Sequence, residues 1–222
     1  MTGPLALVYR GPAAKPAGCA EAVAGLLRGS PRGFDVRFVG PREQLRLTGD
    51  VLTTAAVYAQ PGGGTLERGY RRMKRHREEI RSYVAAGGRY LGFCLGGYLA
   101  GATPGFALLP GDTDRYIATP GATVGSDGDT IVEVRWRGRR RYLYFQDGAK
   151  FLLRPDAHDV DIVARYRGGE IAALAAPFGA GRVAVVGPHP EATPDWYAAC
   201  GLVDPDGPDA DLGHDLVEAV LA

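Results

Sequence analysis

Between residues 5 and 93, short apolar runs rich in β-branched and aromatic residues alternate with longer stretches whose apolar residues recur every three or four positions. Strands separated by helix-length connections pair in parallel through crossover helices, so this alternation predicts a doubly wound α/β layout: a mainly parallel sheet with helices on both faces. The expected strands are residues 5–9, 34–39, 54–58 and 89–93. A helix over 19–28 places Val23, Leu26 and Leu27 at helical spacing, and a short segment at 43–47 leads toward the third strand. One long helix is expected from Leu66 to Val84, with Tyr70, Met73 and Ile80 on the same face and Gly87-Gly88 closing it.

From about Pro104 the pattern changes to short alternating segments with turn signals. Residues 131–136, 141–145, 160–166 and 171–176 are expected as antiparallel hairpin strands, turning at Gly138 and Gly168-Gly169. A last strand over 182–187 runs into Pro188-His189-Pro190-Glu191, and an amphipathic helix over 212–221 follows. No repeat or low-complexity linker divides the chain. With 222 residues, 45% of them hydrophobic, it is expected to be one domain over 1–222, the hairpins being an elaboration of the second half.

The 26 basic and 25 acidic side chains nearly cancel, so no global field favours nucleic acid or an anionic membrane, and neither is expected as a partner. Three widely spaced cysteines, Cys19, Cys94 and Cys200, fit a reducing cytoplasm better than a secreted disulfide framework. No cysteine or histidine spacing suggests a metal, and no cofactor is implied. The stretch from Met1 to Tyr9 lacks a basic segment before an apolar run, so the chain is expected to be cytoplasmic and unprocessed. High Gly, Pro, Arg and Ala usage suggests a GC-rich bacterial source.

In a doubly wound sheet the ligand site lies beyond the carboxyl ends of the strands. Four loops should meet there: Tyr9-Arg10-Gly11-Pro12, residues 60–65, residues 92–98 and residues 187–191. In the third, Cys94 directly follows a strand and precedes a helix, with Gly92, Gly96 and Gly97 around it. Such a sharp turn strains its central residue and needs small neighbours, and it would aim a thiol into the crevice. Free N–H groups at the start of the helix would favour the thiolate. The plain alternative is a small buried cysteine.

Among four histidines, only His189 directly follows an apolar strand at the site end. Glu191, two residues on, can hold its imidazole, as nucleophile chemistry requires of a base and its orienting group. Pro61-Gly62-Gly63-Gly64 suits backbone N–H groups aimed at an oxyanion, or else a plain turn. The basic stretch Arg68, Arg71, Arg72, Lys74, Arg75, Arg77, Arg81 is diluted by Glu67, Glu78 and Glu79 and is expected as a solvated helix surface. The arginines from 135 to 141 are expected as an exposed tip. Cys19 opens a helix and can also face the site, while Cys200 is expected in the core.

Taken together, Gly92-Phe93-Cys94-Leu95-Gly96-Gly97-Tyr98 and His189-Pro190-Glu191 resemble the nucleophile elbow and histidine–glutamate pair of class I glutamine amidotransferases. A closer resemblance is to the amidotransferase-like module at the N-terminus of biotin-protein ligases, which also occurs as free-standing bacterial proteins. It rests on Tyr9-Arg10-Gly11-Pro12, Pro61-Gly62-Gly63, residues 87–94, the Tyr144-Phe145-Gln146-Asp147-Gly148 hairpin and Gly187 to Glu191. The resemblance implies a flavodoxin-like fold. It implies Cys94 as nucleophile, His189 as proton shuttle, Glu191 as its orienting partner, and an oxyanion site at Gly63 and Leu95. Tyr9, Arg10, Gly62, Tyr98, Gln146 and Asp147 become candidate substrate-binding residues.

One position departs from the pattern. Tyr98 stands where working glutaminases of the family carry a glutamine that helps hold substrate, which argues against ordinary glutamine hydrolysis. Nothing in the chain resembles a synthetase or ligase catalytic domain, so it is not expected to be a biotin ligase itself. The leading expectation is a cysteine amide hydrolase or acyl-transfer enzyme acting through a thioester on a small-molecule or peptide amide, with a partner enzyme or a homodimer as its assembly. The alternative is a non-catalytic ligand-binding or regulatory module. A redox or stress protein with an elbow cysteine ranks last, because such proteins commonly pair the cysteine with an acid from another loop.

Overall fold

In a computed structural model of the protein, residues 3–222 are described; Met1 and Thr2, which open the stretch read for a leader, lie outside them. The strands are β1 (Leu5–Tyr9), β2 (Asp35–Val39), β3 (Val57–Gln60), β4 (Arg89–Phe93), β5 (Gly111–Arg115), β6 (Thr130–Trp136), β7 (Arg139–Phe145), β8 (Ala149–Leu153), β9 (Asp161–Tyr166), β10 (Ile171–Phe178) and β11 (Gly181–Val186). The helices are α1 (Cys19–Gly29), α2 (Gly49–Thr53), α3 (Leu66–Met73), α4 (Arg77–Ala85), α5 (Leu95–Ala100), α6 (Pro194–Ala199) and α7 (Ala210–Leu221).

The main path of the sheet runs β2-β1-β3-β4-β11-β10-β9-β6-β7, and β8 pairs with β10 and β5 beside it. From β2 to β11 every pairing is parallel; from β11 onward every pairing is antiparallel. The parallel, helix-covered half and the antiparallel second half are thus as the sequence patterns predict. β11 is the seam, parallel to β4 on one side and antiparallel to β10 on the other. Because alternate side chains point to opposite faces, two cores form. One packs Val8, Phe93 and Val186 under α1 and α7, through Val23, Leu27, Leu216 and Val220. The other packs Leu7, Tyr58, Tyr90 and Val185 under the helices on the opposite face, through Leu52, Met73, Ile80 and Leu99. No helix among the described residues is long and apolar enough to cross a membrane.

Several local expectations give way. The third strand begins at Val57 rather than Thr54, because Thr48 caps the short helix α2 by accepting from the Val51 N–H, and Thr54 is that helix's C-cap. Residues 43–47 supply only a single bridge, Leu45 with Val39. The long helix is broken by a 3₁₀ turn at Lys74–His76, which re-phases the chain so that Ile80, Tyr83 and Val84 face inward from α4.

Tyr144 to Gly148 is not a β-hairpin. β7 pairs with β6, whereas β8 pairs with β5 and β10, so this turn carries the chain between different parts of the sheet. Cys200 is exposed rather than in the core. Two arginines of the expected bare tip are engaged: Arg137 pairs with Asp161 and Asp215, and Arg141 with Asp206, Asp209 and Asp211.

Candidate active site

Cys94 occupies the turn between β4 and α5 at φ 47°, ψ −102°, a backbone conformation that a side-chain-bearing residue rarely adopts. Such strain costs on the order of 1–3 kcal/mol and persists only where its surroundings over-determine it. Here they do. The Cys94 N–H donates to Val186 O at 2.8 Å, and the Tyr98 N–H donates to Cys94 O at 2.9 Å. The Tyr90 hydroxyl donates to Gly96 O at 2.7 Å. The glycines are needed for contact: a Cβ on Gly96 would fall on the backbone carbonyl of Gln60, and one on Gly92 would sit 2.5 Å from Gly96 O. The helix that follows the cysteine can therefore lie directly against β3 and β4.

β11 delivers the second group. Its register sets Val186 beside Phe93, so the segments leaving the two strands emerge as neighbours. The His189 N–H donates to Tyr144 O at 2.9 Å, fixing the backbone at the imidazole. His189 Nδ1 lies 2.8 Å from Glu191 Oε1, and both residues are buried. The rings of Tyr144 and Trp196 meet the imidazole edge-on, with centroids 5.9 and 5.4 Å away. A Cβ on Gly62 would lie 2.8 Å from His189 Cε1 and 3.2 Å from Cys94 Cβ, so this glycine fills the space against both residues. Gly62, Cys94, His189 and Glu191 are thereby brought together from three loops.

The charges follow from this packing. Burial alone would lower the His189 pKa, but the Glu191 carboxylate and then the Cys94 sulfur, acting as charge and hydrogen-bond partner, raise it to about 10. The Cys19 thiol, at the start of α1, is pushed up to about 12, first by burial and then by the charges of Glu191 and Cys94. It remains a neutral thiol near the dyad. Glu191 Oε2 is buried without a hydrogen-bond partner among the described residues. Among those residues no group of three or more His, Cys, Asp or Glu side chains is arranged to hold a metal ion.

The other candidates fall into two groups. Gly63 has φ +118°, and its Cα faces the backbone of Lys15, while the Leu95 side chain packs onto Gly69 of α3. Gln146 reaches the nucleophile through its carbonyl, which lies 3.7 Å from Cys94 Sγ as the acceptor of the thiol. Tyr98 is buried and donates its hydroxyl to Asp147 O at 3.0 Å, and the Asp147 carboxylate is gripped by Arg115 at 2.7 and 2.9 Å. Both interactions tie the turn over the cysteine. Tyr9 is buried in the second core, and Arg10 pairs with Glu43 and Glu21 beside a separate cleft of about 230 Å³.

Sequence reasoning passed over Trp196, Arg115 and Gln60. Trp196 lies five residues beyond Glu191 and was within reach of a search for aromatics near the pair. Arg115 meets Asp147 from a polar strand that carries no β signal, so nothing local announces it. Gln60, fully buried, donates from Nε2 to Ala13 O at 3.0 Å and accepts from the Tyr58 hydroxyl at 2.8 Å, joining β3 to the loop after β1.

The family model described as "Biotin-protein ligase, N terminal" matches residues 5–114. A biotin–protein ligase of Schizosaccharomyces pombe is 28% identical over 137 residues, covering 51% of this chain but only 22% of that protein. Among solved structures, one described as a glutamine amidotransferase superposes with a TM-score of 0.65 at 15% identity, covering 99% of this chain and all of the other. A glutamine amidotransferase from Methylobacillus flagellatus gives 0.54 at 16% identity, covering 99% and 93%. At these identities the structures establish the fold alone. Residues 5–114 thus match the N-terminal module of biotin-protein ligases, and the chain as a whole has the fold of class I glutamine amidotransferases.

Proposed function

We propose that Cys94, His189 and Glu191 form a catalytic triad for amide hydrolysis or acyl transfer through a thioester. The observation that carries this reading is the buried 2.8 Å bond from His189 to Glu191, with the imidazole meeting Cys94 across Gly62. Glu191 fixes the tautomer and orientation of the ring, as the third member of a nucleophile–base system does. With its pKa raised to about 10, His189 already holds the thiol proton as an imidazolium while the Cys94 sulfur attacks the amide carbonyl. The N–H groups of Gly63 and Leu95 hold the developing oxyanion. Collapse of the tetrahedral intermediate expels the amine, which receives the proton from His189 and leaves the acyl group on sulfur. Water or an acceptor amine then attacks the thioester, giving a carboxylic acid or a new amide and regenerating the thiol.

The substrate class that fits is a small-molecule or peptide amide other than free glutamine, because the Tyr98 hydroxyl is committed to Asp147 rather than to a ligand. We place this chemistry in the cytoplasm, as work for a lone domain or for one that acts with a partner enzyme or a second copy. Cys94 is only 8% exposed beneath the Gln146 carbonyl, so a substrate must displace the turn at residues 146–148 to reach it. That cover favours one second reading, a non-catalytic module that binds a ligand at the same crevice.

The test is the rate of Cys94 alkylation by iodoacetamide across pH, followed by peptide mass mapping, which separates Cys94 from the exposed Cys200. The triad predicts reaction well below the pH at which a free thiol ionises, and loss of that low-pH reactivity in His189→Ala. A free-thiol profile unchanged by His189→Ala would sink the proposal. Turnover of an amide substrate abolished by Cys94→Ser would dispose of the non-catalytic reading.

A further inference from the structure

Near the loop after β3, where Gly63 meets the Lys15 backbone, lies a cleft of about 330 Å³ lined by Pro12, Lys15, Arg68, Arg71 and Arg72. Its four cations come from two segments more than 50 residues apart in sequence. On α3 the arginines stand at positions i, i+3 and i+4, the spacing that puts side chains on one helix face. Lys15 completes the set from the loop after β1. Its place is fixed by backbone: the Lys15 main chain lies against Gly63, where a Cβ would not fit, and Gln60 ties Ala13 in the same loop. A second anchor is the Ala14 N–H, which donates to Gly11 O at 3.0 Å.

None of the four forms an ion pair among the described residues. Several other arginines do carry a counter-charge: Arg77 and Arg81 share Glu78, Arg115 holds Asp147, and Arg137 and Arg141 each meet more than one aspartate. Converging cations without a counter-charge repel one another, and an anion with several negative oxygens relieves that repulsion. Guanidinium groups match phosphate oxygens in geometry as well as charge.

We propose that this cleft binds a phosphorylated small molecule, with its phosphate groups held by Lys15, Arg68, Arg71 and Arg72. A small molecule fits better than nucleic acid. The lining is one concave cleft without an aromatic stacking platform, and the chain as a whole carries a net charge of only +1. Four positive charges suit a diphosphate or a phosphate ester rather than a monocarboxylate. The site does not depend on the proposed triad, so its occupancy is expected to survive Cys94→Ser unchanged.

The test is isothermal titration calorimetry of the full chain with inorganic pyrophosphate at two salt concentrations. The wild type and Cys94→Ser are expected to bind one equivalent saturably. A Lys15→Gln, Arg72→Gln double variant should lose at least tenfold in affinity. An Arg139→Gln, Arg140→Gln variant, which removes as much charge from the exposed β6–β7 tip, should stay within twofold of wild type. All the substituted side chains are exposed, and circular dichroism with thermal melting checks that each variant folds. No saturable binding, or equal loss in both double variants, overturns the proposal. So does binding of a single-stranded RNA oligonucleotide, lost in the Lys15/Arg72 variant, where pyrophosphate itself does not bind.

Discussion

The parallel and antiparallel halves of the sheet contribute to the site by different means. The parallel half works through backbone: Cys94 is held at positive φ, and Gly62 and Gly96 allow main chains and the dyad to approach within contact distance. The antiparallel half works through side chains and long-range hydrogen bonds. Tyr144 anchors the His189 backbone and walls its ring, and Arg115 pins the turn that covers the sulfur. The seam strand β11 lets both act on one histidine. A site assembled in this way should fail abruptly when its backbone contacts are altered and gradually when its side-chain ties are cut.

The largest effect should come from the parallel half. Gly96→Val would drive a branched side chain into the Gln60 backbone, and we expect a loss of about 3 kcal/mol or more, or no folded protein. Gly125→Ala, in open space in the other half, should change stability by less than about 0.5 kcal/mol in thermal melts. Equal effects from the two would erase the contrast.

An intermediate effect should appear with pH at the junction of the halves. The His189 pKa is raised from its ordinary 6.5 to about 10, so the stability gained from its charged form is fully present below about 6.5 and is lost as pH rises through 10. Urea midpoints of the wild type should therefore fall between pH 6.5 and 10, and His189→Gln should flatten that part of the fall. An identical slope in the variant would separate the histidine from the pair drawn for it.

The smallest effect belongs to the antiparallel side. Tyr98→Phe removes the hydroxyl that donates to Asp147 O, with an expected cost of about 1 kcal/mol. Its sharper readout is Cys94, whose alkylation should accelerate severalfold as the turn loosens. No change in that rate would mean that the tyrosine does not restrain the cover.

What could be read in the chain follows the same division. The elbow was legible because strain and close approach leave glycines in sequence at Gly92, Gly96 and Gly97, and the strand before His189 was legible as an apolar run. The turn at Tyr144 to Gly148 was misread for a physical reason: Asp-Gly signals that a chain reverses, but which strands then pair is decided by distant partners. β8 chose β5 and β10, and β5, with the sequence Gly-Asp-Thr-Asp-Arg, has no β propensity to disclose it. Thr48 likewise delayed the third strand, by capping a short helix over Gly49–Thr53 that ends on Thr54. The basic cleft was invisible for the same kind of reason, since Lys15 joins the arginines of α3 only in three dimensions.

The carbonyl of Gln146 above Cys94 Sγ has a consequence for handling the protein. Of the three thiols, Cys200 is exposed whereas Cys19 and Cys94 are buried, so a bulky disulfide reagent applied to the native protein should report one fast thiol, and that one separated from the dyad by Tyr144, whose hydroxyl lies 3.4 Å from Cys200 Sγ. The nucleophile proposed here is kept chemically quiet by a loop, and a thiol count on folded material will measure the loop before it measures the chemistry.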